Sequence, residues 1–141
     1  MFPVVAYCAP PAVAAVVETM NVDGRGWPVL LALDCDQPQI VFVVAPSPLY
    51  CDGEIAIGCT RFGQPIEIDI DVAFIAWPDW TARIIAHEEG HALFGLPHND
   101  HGVTARRPLC NWPDDEEFRL ALKQGIVLVG LYASARMPRR R

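Results

Sequence analysis

Long apolar runs and early basic residues are both missing from this 141-residue sequence. Its longest apolar runs, residues 39–45 and 126–132, fall far short of the roughly 20 residues that a transmembrane helix needs. No basic residue precedes Arg25, so the apolar N-terminus lacks the positive region that opens an ordinary secretory signal. We therefore expect no membrane span, no signal peptide and, by default, a cytoplasmic location.

Positive charge is also scarce. Eleven Lys and Arg against seventeen Asp and Glu give a formal net charge of -6. Four of the basic residues lie in the C-terminal tail: Arg136, Arg139, Arg140 and Arg141. Taking these four from the net -6 leaves -10 on the rest of the chain, which argues against binding to nucleic acid. We expect one monomeric domain over residues 1–132 and a flexible basic tail over residues 133–141.

The cysteines show no C-x-x-C spacing, which excludes zinc-ribbon and thioredoxin-type sites. There are five of them: Cys8, Cys35, Cys51, Cys59 and Cys110. Without an export signal, free buried thiols are the favoured prediction. One or two disulfides are the alternative, and Cys51–Cys59 is the easiest pair to close.

Apolar runs and turn residues predict an α+β order of elements. Pro10 followed by an Ala/Val run favours a first helix over residues 10–20. Short apolar runs bounded by Pro, Asp and Gln predict strands at 29–33 and 39–45, a loop at 46–53 and a short strand at 54–57.

Residues 66–71 alternate strictly between isoleucine and an acid. Because side chains alternate across a strand, the isoleucines share one face and the acids the other. We predict a half-buried strand with a solvated acidic face. A calcium site or a preference for cationic substrates is the alternative.

Two helices follow this strand. Pro78, Asp79 and Thr81 signal a helix start, and Gly95 with Pro97 signals its end. The second helix is predicted over residues 114–124, because Asp114 and Glu117 have capping-box spacing.

All four histidines lie between residues 87 and 101. His87 and His91 are four residues apart on the predicted helix, so both rings lie on one face and can bind one Zn²⁺. Glu88 completes an H-E-x-x-H pattern, in which this acid takes a proton from the metal-activated water. Glu89 is expected to be a solvated charge on another face.

With Gly95-x-x-His98 following, the sequence resembles the signature of the metzincin zinc peptidases, and most closely the small matrixin-like and snapalysin-like branches. The resemblance covers residues 66–124. It implies a minimal zincin-like α+β domain, with a twisted mixed sheet packed on an N-terminal helix and an active-site helix, and a C-terminal helix.

The sequence departs from that signature in two places. Three residues, rather than two, separate His91 from Gly95, and a bulged or tightened last helical turn would absorb the extra one. The resemblance names His98 as third ligand, with His101 and Asp100 as alternatives. Cys110 stands where the family has a methionine below the metal, with Met137 as its rival.

The resemblance implies a zinc endopeptidase with His87, His91 and His98 as metal ligands and Glu88 as general base. A peptide substrate would lie along the acidic strand, taken as the sheet edge. Two alternatives stay open. One is a gluzincin-type site completed by Glu116 or Glu117, and the other is a non-catalytic module whose zinc is closed off by Cys110.

Overall fold

The computed structural model describes residues 2–23, 26–96 and 113–126. These residues form an α+β fold with a mixed sheet and three α-helices, which confirms the predicted class. No helix within them has the length and apolar character needed to cross a membrane.

The described residues contain seven strands and three helices, numbered in chain order. The strands are β1 (Val4–Cys8), β2 (Leu30–Leu33), β3 (Ile40–Ala45), β4 (Leu49–Cys51), β5 (Glu54–Ala56), β6 (Gly58–Arg61) and β7 (Ile66–Asp71). The helices are α1 (Pro11–Asp23), α2 (Pro78–Phe94) and α3 (Asp115–Gln124).

Five strands form the main sheet in the order β2-β1-β3-β7-β6. The first four run parallel, and β6 is antiparallel to β7 at one edge. The parallel pair β1 and β2 is connected through α1, the usual crossover for parallel strands. The remaining strands, β4 and β5, form a separate antiparallel hairpin between β3 and β6.

The isoleucines of β7 build the centre of the core, as predicted. Ile66, Ile68 and Ile70 are buried together with apolar side chains of α1 and α2. The Trp27 indole donates a buried hydrogen bond of 2.6 Å to the carbonyl of Ala86, which holds the segment before β2 against α2. Helix α2 also contacts α1, β6 and β7.

Helix α3 begins at the predicted capping box. The Asp114 carboxylate accepts from the Glu117 amide at 2.8 Å, and the Glu117 carboxylate accepts from the Asp114 amide at 3.0 Å. At its other end, the Gln124 side chain donates to the carbonyl of Phe94. This bond fixes the end of α3 to the end of α2.

Two of the three acids of β7 contradict the predicted solvated face, whereas Glu67 is half-buried. Asp69 and Asp71 are buried, since Arg61 donates to Asp69 at 2.7 Å and Ser47 donates to Asp71 at 3.1 Å. Strand β7 also lies inside the sheet, between β3 and β6, so the predicted acidic edge strand is wrong. The edge strands of the described sheet are β2 and β6, and the sequence of β6 carries no alternating pattern.

The cysteine prediction is wrong at four of the five positions. Disulfides join Cys8 to Cys35 and Cys51 to Cys59, the latter being the pair named as easiest to close. Cys110 lies outside the described residues. The first disulfide connects β1 to the turn after β2, and the second connects β4 to β6.

Candidate metal centre and active site

Helix α2 carries two of the three predicted metal ligands. It begins at Pro78, whose fixed φ and missing N–H suit the first helical position. The helix ends at Gly95, which adopts the left-handed conformation (φ 64°) that ends many helices. His87 and His91 therefore lie one turn apart on a continuous helix, as the spacing predicted.

The two imidazoles converge on one point. Their Nε2 atoms are 3.1 Å apart, and the ring planes are nearly perpendicular with centroids 4.7 Å apart. Two nitrogens bound to one tetrahedral Zn²⁺ at 2.0–2.1 Å would be about 3.3 Å apart. The separation is that of a hydrogen bond between the two rings, and it is also close to the spacing of two ligands on a single metal ion.

A backbone carbonyl sets the tautomer of His91. Its Nδ1 lies 2.6 Å from the carbonyl oxygen of Leu96, which can only accept a hydrogen bond. Nδ1 must therefore carry the proton, and in the neutral ring Nε2 presents its lone pair. Metal-binding histidines are oriented in this way by a hydrogen bond at the other nitrogen.

The last turn of α2 is wider than a regular α-helical turn. The amides of Gly95 and Leu96 both donate to the carbonyl of Gly90. The Gly95 bond spans five residues instead of the usual four, as in a π-type turn that accommodates an inserted residue. A widened last turn is one of the two adjustments that the sequence suggested.

Glu88 lies beside the histidine pair and is 5% exposed. Its Oε1 accepts a 2.8 Å hydrogen bond from the Thr60 hydroxyl of β6, and its Oε2 is 3.8 Å from His87 Nε2. Gly58 of β6 makes room for this carboxylate, because a Cβ there would lie 3.0 Å from Oε2.

Burial raises the pKa of Glu88 to about 7. The Thr60 hydrogen bond opposes this shift by favouring the charged form, while the nearby charge of Asp69 adds to it. A carboxyl group with this pKa exchanges protons readily near neutral pH, which is the property required of a general base.

An open cleft of about 810 Å³ lies in front of these side chains. One wall is formed by the β4–β5 hairpin and β6, and the opposite wall by α2 and its end. The lining residues are Cys51, Asp52, Glu54, Ile55, Ala56, Ile57, Gly58, Thr60, Phe62, His87, Glu88, His91, Gly95 and Leu96. Both histidines and Glu88 therefore line one cleft.

Several predicted site residues lie outside the described part of the chain: His98, Asp100, His101, Cys110 and Met137. Within residues 2–23, 26–96 and 113–126, no group of three His, Cys, Asp or Glu is placed to hold a metal. The glutamates of the gluzincin alternative, Glu116 and Glu117, are described and do not form such a group with the histidine pair.

Gly58 and Thr60 are site residues that the sequence did not indicate, and Glu89 lies elsewhere than predicted. The first two contact Glu88 from 28 or more residues away in sequence, and no motif marks them. Glu89 is 3% exposed instead of solvated, because α2 is covered on the side away from the cleft as well. Its neighbours there include Val17 of α1 and Leu31 of β2.

No family model, curated protein or solved structure matches this chain in comparisons with known proteins. The interpretation of the site therefore depends on its residues and their geometry.

Proposed function

We propose that this protein is a zinc-dependent endopeptidase with a zincin-like fold of the metzincin type. The observation that carries the proposal is the convergence of His87 Nε2 and His91 Nε2 to 3.1 Å, with the Glu88 carboxylate 3.8 Å from His87 Nε2. All three side chains line the cleft beside the edge strand β6.

Two of the described side chains, His87 and His91, suit a zinc ion. Two neutral imidazoles are preferred donors for Zn²⁺, and the Leu96 carbonyl fixes the proton of His91 on the nitrogen away from the site. His98, outside the described residues, is proposed as the third ligand. When bound, Zn²⁺ would lower the pKa of the attacking water and polarise the scissile carbonyl.

Glu88 is the proposed general base. Its carboxylate accepts a hydrogen bond from Thr60, and Gly58 leaves room for it beside the cleft, where it accepts a proton from the attacking water. The same carboxyl group then gives the proton to the leaving amine. Burial favours this return, because it makes the protonated form accessible near neutral pH.

The proposed substrate is an extended peptide segment. Strand β6 pairs with β7 on one side and has no strand partner on its other side among the described residues. A peptide can therefore add to this edge by main-chain hydrogen bonds, with Gly58 and Thr60 placing it next to Glu88.

The substitution Glu88→Gln tests this proposal. It keeps the size of the side chain but removes the base, so we expect hydrolysis of a quenched-fluorescence peptide library to fall by at least about 100-fold. Zinc content, measured by elemental analysis, should stay at one ion per chain. Unchanged hydrolysis, or loss of both metal and fold, would refute the assignment.

Single alanine variants at His87, His91, His98 and His101 identify the ligand set. Zinc content should fall in the first three and be retained in the fourth. A crystal measured at the zinc absorption edge would locate the ion directly. A site closed by Cys110 would instead support a structural zinc in a binding module.

A further inference from the structure

The β4–β5 hairpin forms one wall of the cleft. From Cys51 to Ile57, every residue except Gly53 lines it, and β6 follows directly. The wall is therefore a single short stretch of chain that runs into the strand bearing Gly58 and Thr60.

Two links hold this hairpin in place. The Cys51–Cys59 disulfide joins β4 to β6, with both cysteines packed beside the buried side chain of Leu49. Arg61 donates through Nη2 to the carbonyl of Tyr50 at 3.2 Å and through Nε to Asp69 at 2.7 Å. Neither link involves the histidines.

The wall and the end of β6 present apolar surface that core packing does not use. The Ile55 side chain is 71% exposed and the Phe62 side chain is 54% exposed, and both line the cleft. Large apolar side chains left uncovered at the rim of a cleft are typical of a binding surface. They suit an apolar side chain of a bound peptide.

The charge of the cleft has one sign. Its acidic lining residues are Asp52, Glu54 and Glu88, and no Lys or Arg is among the lining residues of the described chain. Arg61, next in sequence to the lining residue Thr60, is engaged with Asp69 and with the carbonyl of Tyr50. Glu54 forms no ion pair within the described residues. A basic side chain would complement this wall.

We propose that the β4–β5 hairpin is the specificity wall of the cleft and selects peptide segments in which a large apolar side chain neighbours Lys or Arg. The inference rests on the proposed function, because it assumes that the cleft receives a peptide. Ile55 and Phe62 contact the apolar side chain, and Glu54 attracts the basic one.

The test measures binding instead of hydrolysis. Fluorescent decapeptides containing a Leu-Lys pair, and versions with Glu in place of Lys or Ala in place of Leu, are titrated into the zinc-loaded Glu88→Gln protein. We expect either change in the peptide to weaken binding roughly fivefold, the effect of one exposed charge contact or one partly buried side chain. Fluorescence anisotropy gives the dissociation constants.

Second-site variants assign the preference to the wall. Adding Glu54→Gln should reduce the discrimination between Lys and Glu peptides to within about twofold, and adding Ile55→Ala should do the same for Leu against Ala. Matched controls are Asp36→Asn, which makes the same charge change between β2 and β3, and Val22→Ala at the exposed end of α1. Both should keep the full discrimination.

The outcomes separate this inference from the proposed function. Hydrolysis by the wild type without any peptide preference would overturn the inference alone, as would a preference that Glu54→Gln and Ile55→Ala leave unchanged. Absence of peptide binding would overturn it as well. Selective binding that depends on these residues in a protein that never hydrolyses peptides would support the inference and refute the peptidase.

Discussion

Glu89 lies on the side of α2 that faces away from the cleft. It follows the proposed general base in sequence, but its side chain lies in the core with Val17, Trp27 and Leu31, where burial raises its pKa to about 8. Helical spacing alone indicated that Glu89 points away from the histidines. It could not indicate that α1 and β2 cover this side, because that depends on how the sheet and helices pack.

The buried carboxyl makes stability depend on pH. A pKa raised from 4.5 to about 8 means that the folded state holds a proton that the unfolded state releases, so stability falls as pH rises from about 5 to 8. The loss is up to about 5 kcal/mol. We expect Glu89→Gln to match the wild type near pH 5 and to exceed it at pH 9.

Urea unfolding of metal-free protein at pH 5, 7 and 9 measures this effect. Glu18→Gln, a change of an exposed acid on α1, should keep the wild-type slope. Parallel pH dependences for Glu89→Gln and the wild type would show that Glu89 is not the group responsible.

Thr60 tunes the proposed base. Its hydroxyl stabilises the charged form of Glu88, so Thr60→Val should raise the pKa of Glu88 further. Because the base acts when deprotonated, the acid limb of the kcat/KM profile should move to higher pH by about one unit. Thr60→Ser keeps the hydroxyl and should keep the wild-type limb. An unmoved limb in Thr60→Val would contradict this role.

At the scale of elements, sequence predicted the helices of the site better than its strands. Helix α2 carries local signals at both ends, Pro78 and Gly95, and α3 has the Asp114–Glu117 capping box. The boundaries of both helices are determined by residues close in sequence, so they could be predicted without knowledge of the fold.

Strands β1, β4 and β6 were not predicted. Gly58, Cys59, Thr60 and Arg61 of β6 have no apolar alternation, because the strand is ordered by pairing with β7, by the disulfide and by contact with α2. These are long-range interactions. The site residues on β6 could therefore not be predicted from the sequence, whereas those on α2 followed from helical periodicity.

Strand β6 and helix α2 are in close contact at Gly58. A Cβ at this position would lie 2.7 Å from Cγ2 of Ile84 and 3.0 Å from Oε2 of Glu88, so one of the two elements must move. We expect Gly58→Ala to destabilise the protein by about 1–3 kcal/mol, as overpacking of a core does. Peptide hydrolysis should fall further than stability explains, because Glu88 is displaced.

Chemical denaturation and hydrolysis at a temperature where the variant is fully folded separate these two effects. Gly63→Ala is the matched control, since its Cβ would come no closer than 3.4 Å to its nearest neighbour, the carbonyl of Pro65. Wild-type stability and activity in Gly58→Ala would contradict the close contact.

At the scale of the whole molecule, the two disulfides hold opposite parts of the chain. Cys8–Cys35 connects β1 to the turn after β2, whereas Cys51–Cys59 connects the hairpin wall to β6 beside the cleft. The short spacing of the second pair made it the easiest to predict. The first pair depends on the sheet, in which parallel pairing of β1 with β2 and β3 brings distant cysteines together.

The two disulfides should contribute differently to stability and to peptide binding. Cross-linking lowers the entropy of the unfolded chain more for longer loops, and the sequence separations are 27 and 8. Replacing Cys8 and Cys35 by Ser should therefore cost roughly 3.5 kcal/mol, and replacing Cys51 and Cys59 roughly 2.5 kcal/mol. In the Glu88→Gln background, replacing Cys51 and Cys59 should weaken peptide binding more than replacing Cys8 and Cys35, because of the two disulfides only Cys51–Cys59 holds the hairpin.

Thermal unfolding of the two double variants measures the order of their stabilities. Fluorescence anisotropy, at a temperature below the unfolding range of both, measures the order of their peptide affinities. If peptide affinity instead follows stability, the hairpin is held without its disulfide, and Arg61 with the Leu49 packing is sufficient to position it. If only the Cys51 and Cys59 replacement weakens binding while zinc content is unchanged, the wall and the metal centre are independently built. The cleft then consists of a histidine-bearing helix and a separately cross-linked hairpin that meet at β6.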